Sequence, residues 1–85
     1  MAVSIKHSRM TTIITRYVGP SNVRGARIIA DAGDGRRVTV SYDHLLSTDD
    51  AHAAAAIALC AKMGWDGELI AGGLSRGHAF IFVDK

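Results

Sequence analysis

Hydrophobic and polar residues alternate along several short stretches of this chain, as they do in strands that bury only one face. In residues 37–42, Val38, Val40 and Tyr42 alternate with polar side chains. Residues 11–18 are rich in β-branched and aromatic types and lead into a group of turn-forming residues at 19–22. These patterns predict an antiparallel sheet with one apolar face and one face in water.

Two hairpins are predicted from the glycines between the apolar stretches. Residues 26–32 and 36–42 flank Gly33-Asp34-Gly35, a sequence able to adopt the positive φ angles of a tight turn. Residues 68–73 and 78–83 flank a loop at 74–77. The last strand is apolar on both faces, which places it inside the sheet, and Gly72-Gly73 beside it predicts a bulge or a close backbone approach.

A helix is predicted between the two hairpins, from about residue 49 to 63. Ser47 can cap its start, Asp50 follows three residues later, and Gly64 is a natural end. The residues expected to face the sheet are Ala53, Ala56, Ile57, Cys60 and Met63. Trp65 is expected to close the end of the core. The order β-β-β-α-β-β predicts an α+β fold, an antiparallel sheet with one helix packed across one face.

Length and composition set limits on function. The chain has 85 residues, 48% of them hydrophobic and 21% charged, so we expect a single globular domain spanning residues 1–85, with a flexible segment at about 1–9. Such a chain leaves little material for an enclosed cleft, and we expect no enzyme activity and no cofactor. The longest apolar run, Ala53 to Ala61, is far shorter than the ~20 residues of a membrane span.

The expected location is the cytoplasm of a host cell, because residues 1–10 lack the pattern of a secretory signal. Cys60 is the only cysteine, which excludes an internal disulfide, and its alanine-rich surroundings favour a buried thiol over a reactive one.

Charge is distributed unevenly. Residues 1–42 carry seven Lys or Arg against two Asp, whereas residues 43–85 carry three against six acidic residues. Four of the arginines lie on or beside the first hairpin: Arg24, Arg27, Arg36 and Arg37. Because guanidinium groups suit phosphate and carboxylate recognition, these arginines are the candidate binding residues for a partner or nucleic acid, with Tyr42 as a candidate interface aromatic. The alternative is that they only keep a solvated sheet from aggregating.

Catalytic and metal-binding patterns are weak. Asp43, His44 and His52 could meet near the helix start, as in an open zinc site, but two partly exposed histidines explain the sequence as well. No serine lies in a nucleophile turn, and no glycine-rich loop precedes a helix. We predict neither a catalytic residue nor a metal ligand.

Three stretches of the chain resemble small uncharacterised proteins of proteobacterial phages and mobile elements. They are residues 22–30, 40–44 and 51–65, and the likeness spans roughly residues 11–83. Phage proteins of this size and build include anti-CRISPR inhibitors, which bind a bacterial defence complex without turnover. The resemblance therefore implies a non-catalytic inhibitor that blocks such a complex sterically.

Two alternatives stay open at this point. The chain could be a small nucleic-acid-binding module that uses the basic first hairpin, with affinity falling steeply as salt rises. It could also be a compact enzyme with a site at His44 and His52. Whichever function holds, the chain could form a homodimer through an edge strand or the open sheet face.

Overall fold

The computed structural model describes residues 2–5 and 10–83, so part of the segment predicted to be flexible lies outside the described residues. It contains five strands and one helix in the described chain: β1 (Ile13–Val18), β2 (Arg27–Asp31), β3 (Arg37–Ser41), α1 (Thr48–Met63), β4 (Leu69–Leu74) and β5 (Gly77–Phe82). The predicted α+β fold and the order β-β-β-α-β-β are confirmed.

All strand pairs are antiparallel, and the sheet has the order β3-β2-β1-β5-β4. The two hairpins therefore lie side by side, joined through β1, and β5 lies inside the sheet as predicted. Strands β3 and β4 form its two edges. Helix α1 packs across β1, β2, β3 and β5 on one face.

The two hairpin turns differ in length. Between β2 and β3 the predicted turn is present: Gly33, Asp34 and Gly35 have φ angles of 86°, 54° and 79°. The Asp31 carboxylate stabilises this turn by accepting a hydrogen bond from the Gly33 amide at 2.7 Å. Between β4 and β5 only Ser75 and Arg76 remain as the turn, so the second loop is shorter than predicted.

The three glycines in the strands of the second hairpin differ in how closely another backbone approaches them. Gly72 and Gly73 pair in regular register with Ala79 and His78, and a Cβ at either position would meet nothing within 4 Å. The predicted bulge or close approach is therefore absent there. The close approach occurs at Gly77, where a Cβ would collide with the Thr15 carbonyl of β1, so glycine allows β5 to pair tightly with β1.

Helix α1 begins and ends as its sequence predicts. The Ser47 side chain accepts a hydrogen bond from the Asp50 amide at 3.1 Å, and Gly64 ends the helix with a φ of 73°. The face it buries was predicted only in part. Its buried residues are Ala51, His52, Ala55, Ala56 and Leu59. Ile57, expected to face the sheet, is 64% exposed. Alanines lie on several sides of this helix, so the apolar pattern does not fix which side faces inward.

The core lies between α1 and the sheet. Strand residues Ile13, Ile28 and Phe80 are buried there against Leu59 of the helix. Trp65 packs against this core as expected, with its ring edge-on to Phe82 at 6.1 Å between centroids. Cys60 is half-buried beside the core, and burial raises the pKa of its thiol, which favours an inert thiol over a reactive one.

The opposite face of the sheet has no helix on it, and we call it the open face. Cross-strand pairing assigns its residues, because directly paired residues share a face. They are Ile14, Arg16 and Val18 of β1, Arg27, Ile29 and Asp31 of β2, Arg37, Thr39 and Ser41 of β3, Ile70, Gly72 and Leu74 of β4, and Gly77, Ala79 and Ile81 of β5. Among the described residues, no helix has the length and apolarity needed to cross a membrane.

Candidate functional site

Two of the predicted binding arginines, Arg27 and Arg37, lie on the open face. Arg27 pairs with Ser41, and Arg37 pairs with Asp31 across β2 and β3. The Asp31 carboxylate is engaged by the Gly33 amide, and within residues 2–5 and 10–83 it forms no ion pair with Arg37. The guanidinium of Arg37 is therefore not neutralised by its cross-strand neighbour.

A third arginine, Arg16, lies on the same face, although it was not among the predicted binding residues. Arg16 lies on β1 opposite Ile29 and is a diagonal neighbour of Arg27 on the same face. We call Arg16, Arg27 and Arg37 the arginine half of the open face. Strand β1 buries Ile13 and Thr15 and exposes Ile14 and Arg16, so alternation counted from Ile13 was the signal that could have placed Arg16 outward. Arg24, also predicted, is exposed in the loop before β2.

Arg36 is placed differently from the other predicted arginines. Its guanidinium donates to the carbonyls of Ala32 at 2.9 Å and Gly33 at 3.1 Å, and it lies 5.6 Å from the centre of the Trp65 ring. It also donates to the Thr11 hydroxyl at 3.4 Å. These contacts tie the first hairpin to the end of the core, so Arg36 stabilises the fold and is not among the binding residues that we propose.

Tyr42 lies on the helix side of the sheet, half-buried, and not on the open face. Its ring stands edge-on to Tyr17 at 5.3 Å and contacts the His44 ring at 4.9 Å, both between centroids. It is therefore separated from the arginine half by the sheet itself. The structure gives Tyr42 a packing role at the end of β3.

A group of polar side chains is buried under the helix. His52 is 2% exposed, which corrects the expectation that it is partly exposed. Its Nδ1 lies 2.7 Å from the hydroxyl oxygen of the fully buried Thr15. Its ring lies 4.4 Å from that of His78, measured between centroids. The Nε2 of His78 lies 2.8 Å from the Asp49 carboxylate, and its Nδ1 is buried without a hydrogen-bond partner.

The protonation of His52 follows from this environment. Burial lowers its pKa, the neighbouring His78 lowers it further, and Asp49 opposes them by raising it. The net shift of the His52 pKa is downward, which favours the neutral imidazole. The buried Thr15 hydroxyl gives Nδ1 of this ring the hydrogen-bond partner that a buried polar atom needs.

The pair of histidines considered from the sequence, His44 and His52, is not the pair that the fold assembles. His44 is exposed, and its ring contacts that of Tyr42. His52 is buried and contacts Thr15 and His78. In the part of the chain that the structure describes, no group of three His, Cys, Asp or Glu side chains could hold a metal ion. The His44–His52 alternative therefore plays no part in the function that we propose.

One feature of the sequence could have identified this histidine group. His78 precedes Phe80 and Phe82 at two-residue spacing, which places it on the buried face of β5, and Thr15 occupies an inward position of β1. Each is a polar residue at an apolar position, and buried polar groups need partners. The helix gave no comparable signal for His52.

Comparison of the whole chain with protein-family models, curated proteins and solved structures found no match. The functional interpretation of this protein therefore rests on the resemblance noted in its sequence, on its fold and on two groups of side chains, the arginines of the open face and the histidines under the helix.

Proposed function

We propose that this protein is a non-catalytic binding protein that docks through its open face on an acidic surface of a bacterial protein complex. The sequence resemblance to small phage and mobile-element proteins supports a host defence complex as that partner, with anti-CRISPR-like steric inhibition as the outcome. In this proposal the protein blocks its partner and performs no turnover.

The observation that carries the proposal is the composition of the open face. Beside the arginine half it exposes four large aliphatic side chains: Ile14 at 48%, Ile70 at 62%, Leu74 at 50% and Ile81 at 44%. We call these four residues the apolar half. Exposed apolar residues on one surface mark interaction sites, and arginine is enriched at protein interfaces.

The composition of this face favours a protein partner over nucleic acid. The chain has five Phe, Tyr and Trp residues, and none of them lies on the open face. Single-stranded nucleic acids are held largely by bases stacking on aromatic side chains, which this face cannot offer. An acidic protein surface needs only the guanidinium forks and the apolar contact that are present.

The two halves would contribute differently to binding. The arginine half would steer the encounter and fix the orientation of the partner, so the association rate should fall as salt rises. The apolar half would supply burial of aliphatic surface, at roughly 25 cal/mol per Å² before the costs of association.

The test is affinity capture from a nuclease-treated lysate of a bacterial host, with each captured protein identified by mass spectrometry. The wild-type chain is compared with the double variant Arg27→Glu/Arg37→Glu. We expect one defence complex to be captured by the wild type and lost with the variant, while the variant stays folded because both side chains lie on the open face.

The control is the variant Lys62→Glu/Arg76→Glu, which changes net charge equally and replaces no side chain of the open face; of the two, only Lys62 contacts that part of the sheet, through the backbone carbonyl of Arg37. It should retain the partner. Capture that disappears with nuclease would overturn the proposal in favour of nucleic-acid binding. Equal loss with both double variants would also overturn it, because only overall charge would then matter.

A further inference from the structure

A cavity of about 500 Å³ lies at one end of the molecule, beside the start of α1 and the β4–β5 turn, and it meets the open face only at Leu74 and Gly77. It is lined by Tyr17, Thr48, His52, Leu74, Ser75, Arg76, Gly77 and His78. Its volume falls within the range of small-molecule sites in proteins. None of the three arginines of the arginine half lines it.

The side chains around this cavity can donate hydrogen bonds, and no carboxylate is among them. Arg76 supplies a guanidinium group at the turn, and within residues 2–5 and 10–83 it forms no ion pair. Ser75 and Thr48, which also line the cavity, carry hydroxyl groups. Thr48 is the first residue of α1, where backbone amides have no partner inside the helix. This set of donors suits an anion.

The two histidines form the inner wall, and hydrogen bonds fix both rings. The Thr15 hydroxyl is hydrogen-bonded to Nδ1 of His52, so Nε2 is the ring nitrogen of His52 that could contact a ligand. The Asp49 carboxylate is hydrogen-bonded to Nε2 of His78, so this nearby carboxylate already has a partner. The remaining wall is apolar and includes Leu74 and the ring of Tyr17.

From this arrangement we propose that the cavity binds a small molecule carrying an oxyanion, a carboxylate or a phosphate monoester, on a compact apolar body. Arg76 pairs with the oxyanion, because its planar fork matches two oxygens at once. The hydroxyl groups of Ser75 and Thr48 donate to the same group. The apolar body lies against Leu74 and Tyr17. The site requires no protein partner and none of the arginines of the open face.

The test is NMR titration of the full chain with four probes that separate charge from apolar contact. Phenyl phosphate and benzoate carry both an oxyanion and a ring, benzyl alcohol carries the ring alone, and inorganic phosphate carries the charge alone. We expect phenyl phosphate or benzoate to shift the Ser75, Arg76 and Gly77 amides saturably, and the two partial probes to bind more weakly. Comparing the two complete probes identifies the preferred oxyanion.

The variant Arg76→Gln should weaken the better probe by at least about tenfold, because it removes the charged fork that Arg76 presents to the two oxygens. The matched control Arg24→Gln removes an exposed arginine outside the cavity and should leave the affinity unchanged. The proposal is overturned if benzyl alcohol binds as tightly as the anionic probes. It is also overturned if Arg24→Gln weakens binding as much as Arg76→Gln, or if no probe shifts these amides saturably.

Discussion

The two faces of the sheet are made by the same strands, yet they differ in what their side chains do. On the helix side, Ile13, Ile28 and Leu59 are fully buried, and the polar Thr15 and His52 satisfy one another. On the open face, aliphatic residues stay about half exposed beside three arginines. One face thus holds the fold together, and the other leaves apolar and cationic groups available for contact.

Truncating a side chain on the helix side should produce the largest loss of stability. Leu59→Ala removes a fully buried side chain and should lower the free energy of unfolding by about 3 kcal/mol. Ile57→Ala, two residues earlier on the exposed side of the same helix, should change it by less than about 0.5 kcal/mol. Urea denaturation measures both values. Equal losses would contradict this orientation of the helix.

The same substitution, threonine to valine, can be made on each face of the sheet and its effect on stability compared. Thr15→Val removes the hydroxyl that meets His52 and leaves a buried ring nitrogen unpaired, so we expect a loss of about 1–3 kcal/mol. Thr39→Val, on the open face of β3, should alter stability by about 0.5 kcal/mol or less. Denaturation midpoints of the two variants provide the comparison. If Thr15→Val proves neutral, the Thr15–His52 hydrogen bond does not stabilise the core.

The smallest expected effect is a dependence of stability on pH from His52. Its pKa is lower in the folded chain than in the unfolded chain, where it is about 6.5, so the unfolded chain binds more protons as the pH falls. The contribution of His52 to the free energy of unfolding therefore has its full value above about pH 6.5, and it decreases as the pH falls through the pKa of the folded chain.

Thermal unfolding followed from pH 7.5 to pH 5 should show this decrease in the wild type, over the ordinary titration range of histidine. His52→Gln should flatten the profile, whereas His44→Gln, which replaces an exposed histidine, should leave it unchanged. A profile unaffected by His52→Gln would mean that His52 keeps the same pKa in both states.

Local rules explain why most of the fold could be predicted. Gly33-Asp34-Gly35 adopts the positive φ angles that its sequence suits, and Ser47 and Gly64 begin and end the helix as expected. These features depend on residues a few positions apart. The inward face of α1 could not be predicted, because a run of alanines shows no preference for one side of the helix. Only packing against the sheet determines that Leu59 is buried and Ile57 is exposed.

The candidate sites depended on contacts that are distant in sequence. Thr15 and His52 are 37 positions apart, and His78 joins them only because β5 pairs with β1. Arg36 leaves the binding set for the same reason, since Thr11 and Trp65 come to it from other parts of the chain. By contrast, Arg37 could be placed on the wet face from the alternation of residues 37–42 alone.

The most direct test of the division between the two faces is hydroxyl-radical footprinting of the captured complex against the free protein. We predict that binding protects Ile14 and Ile81 on the open face, while Ile57 and Leu45, which are 64% and 95% exposed elsewhere, react as in the free chain. Protection of Ile57 and Leu45 with Ile14 and Ile81 unchanged would contradict the account, because the partner would then contact the helix side.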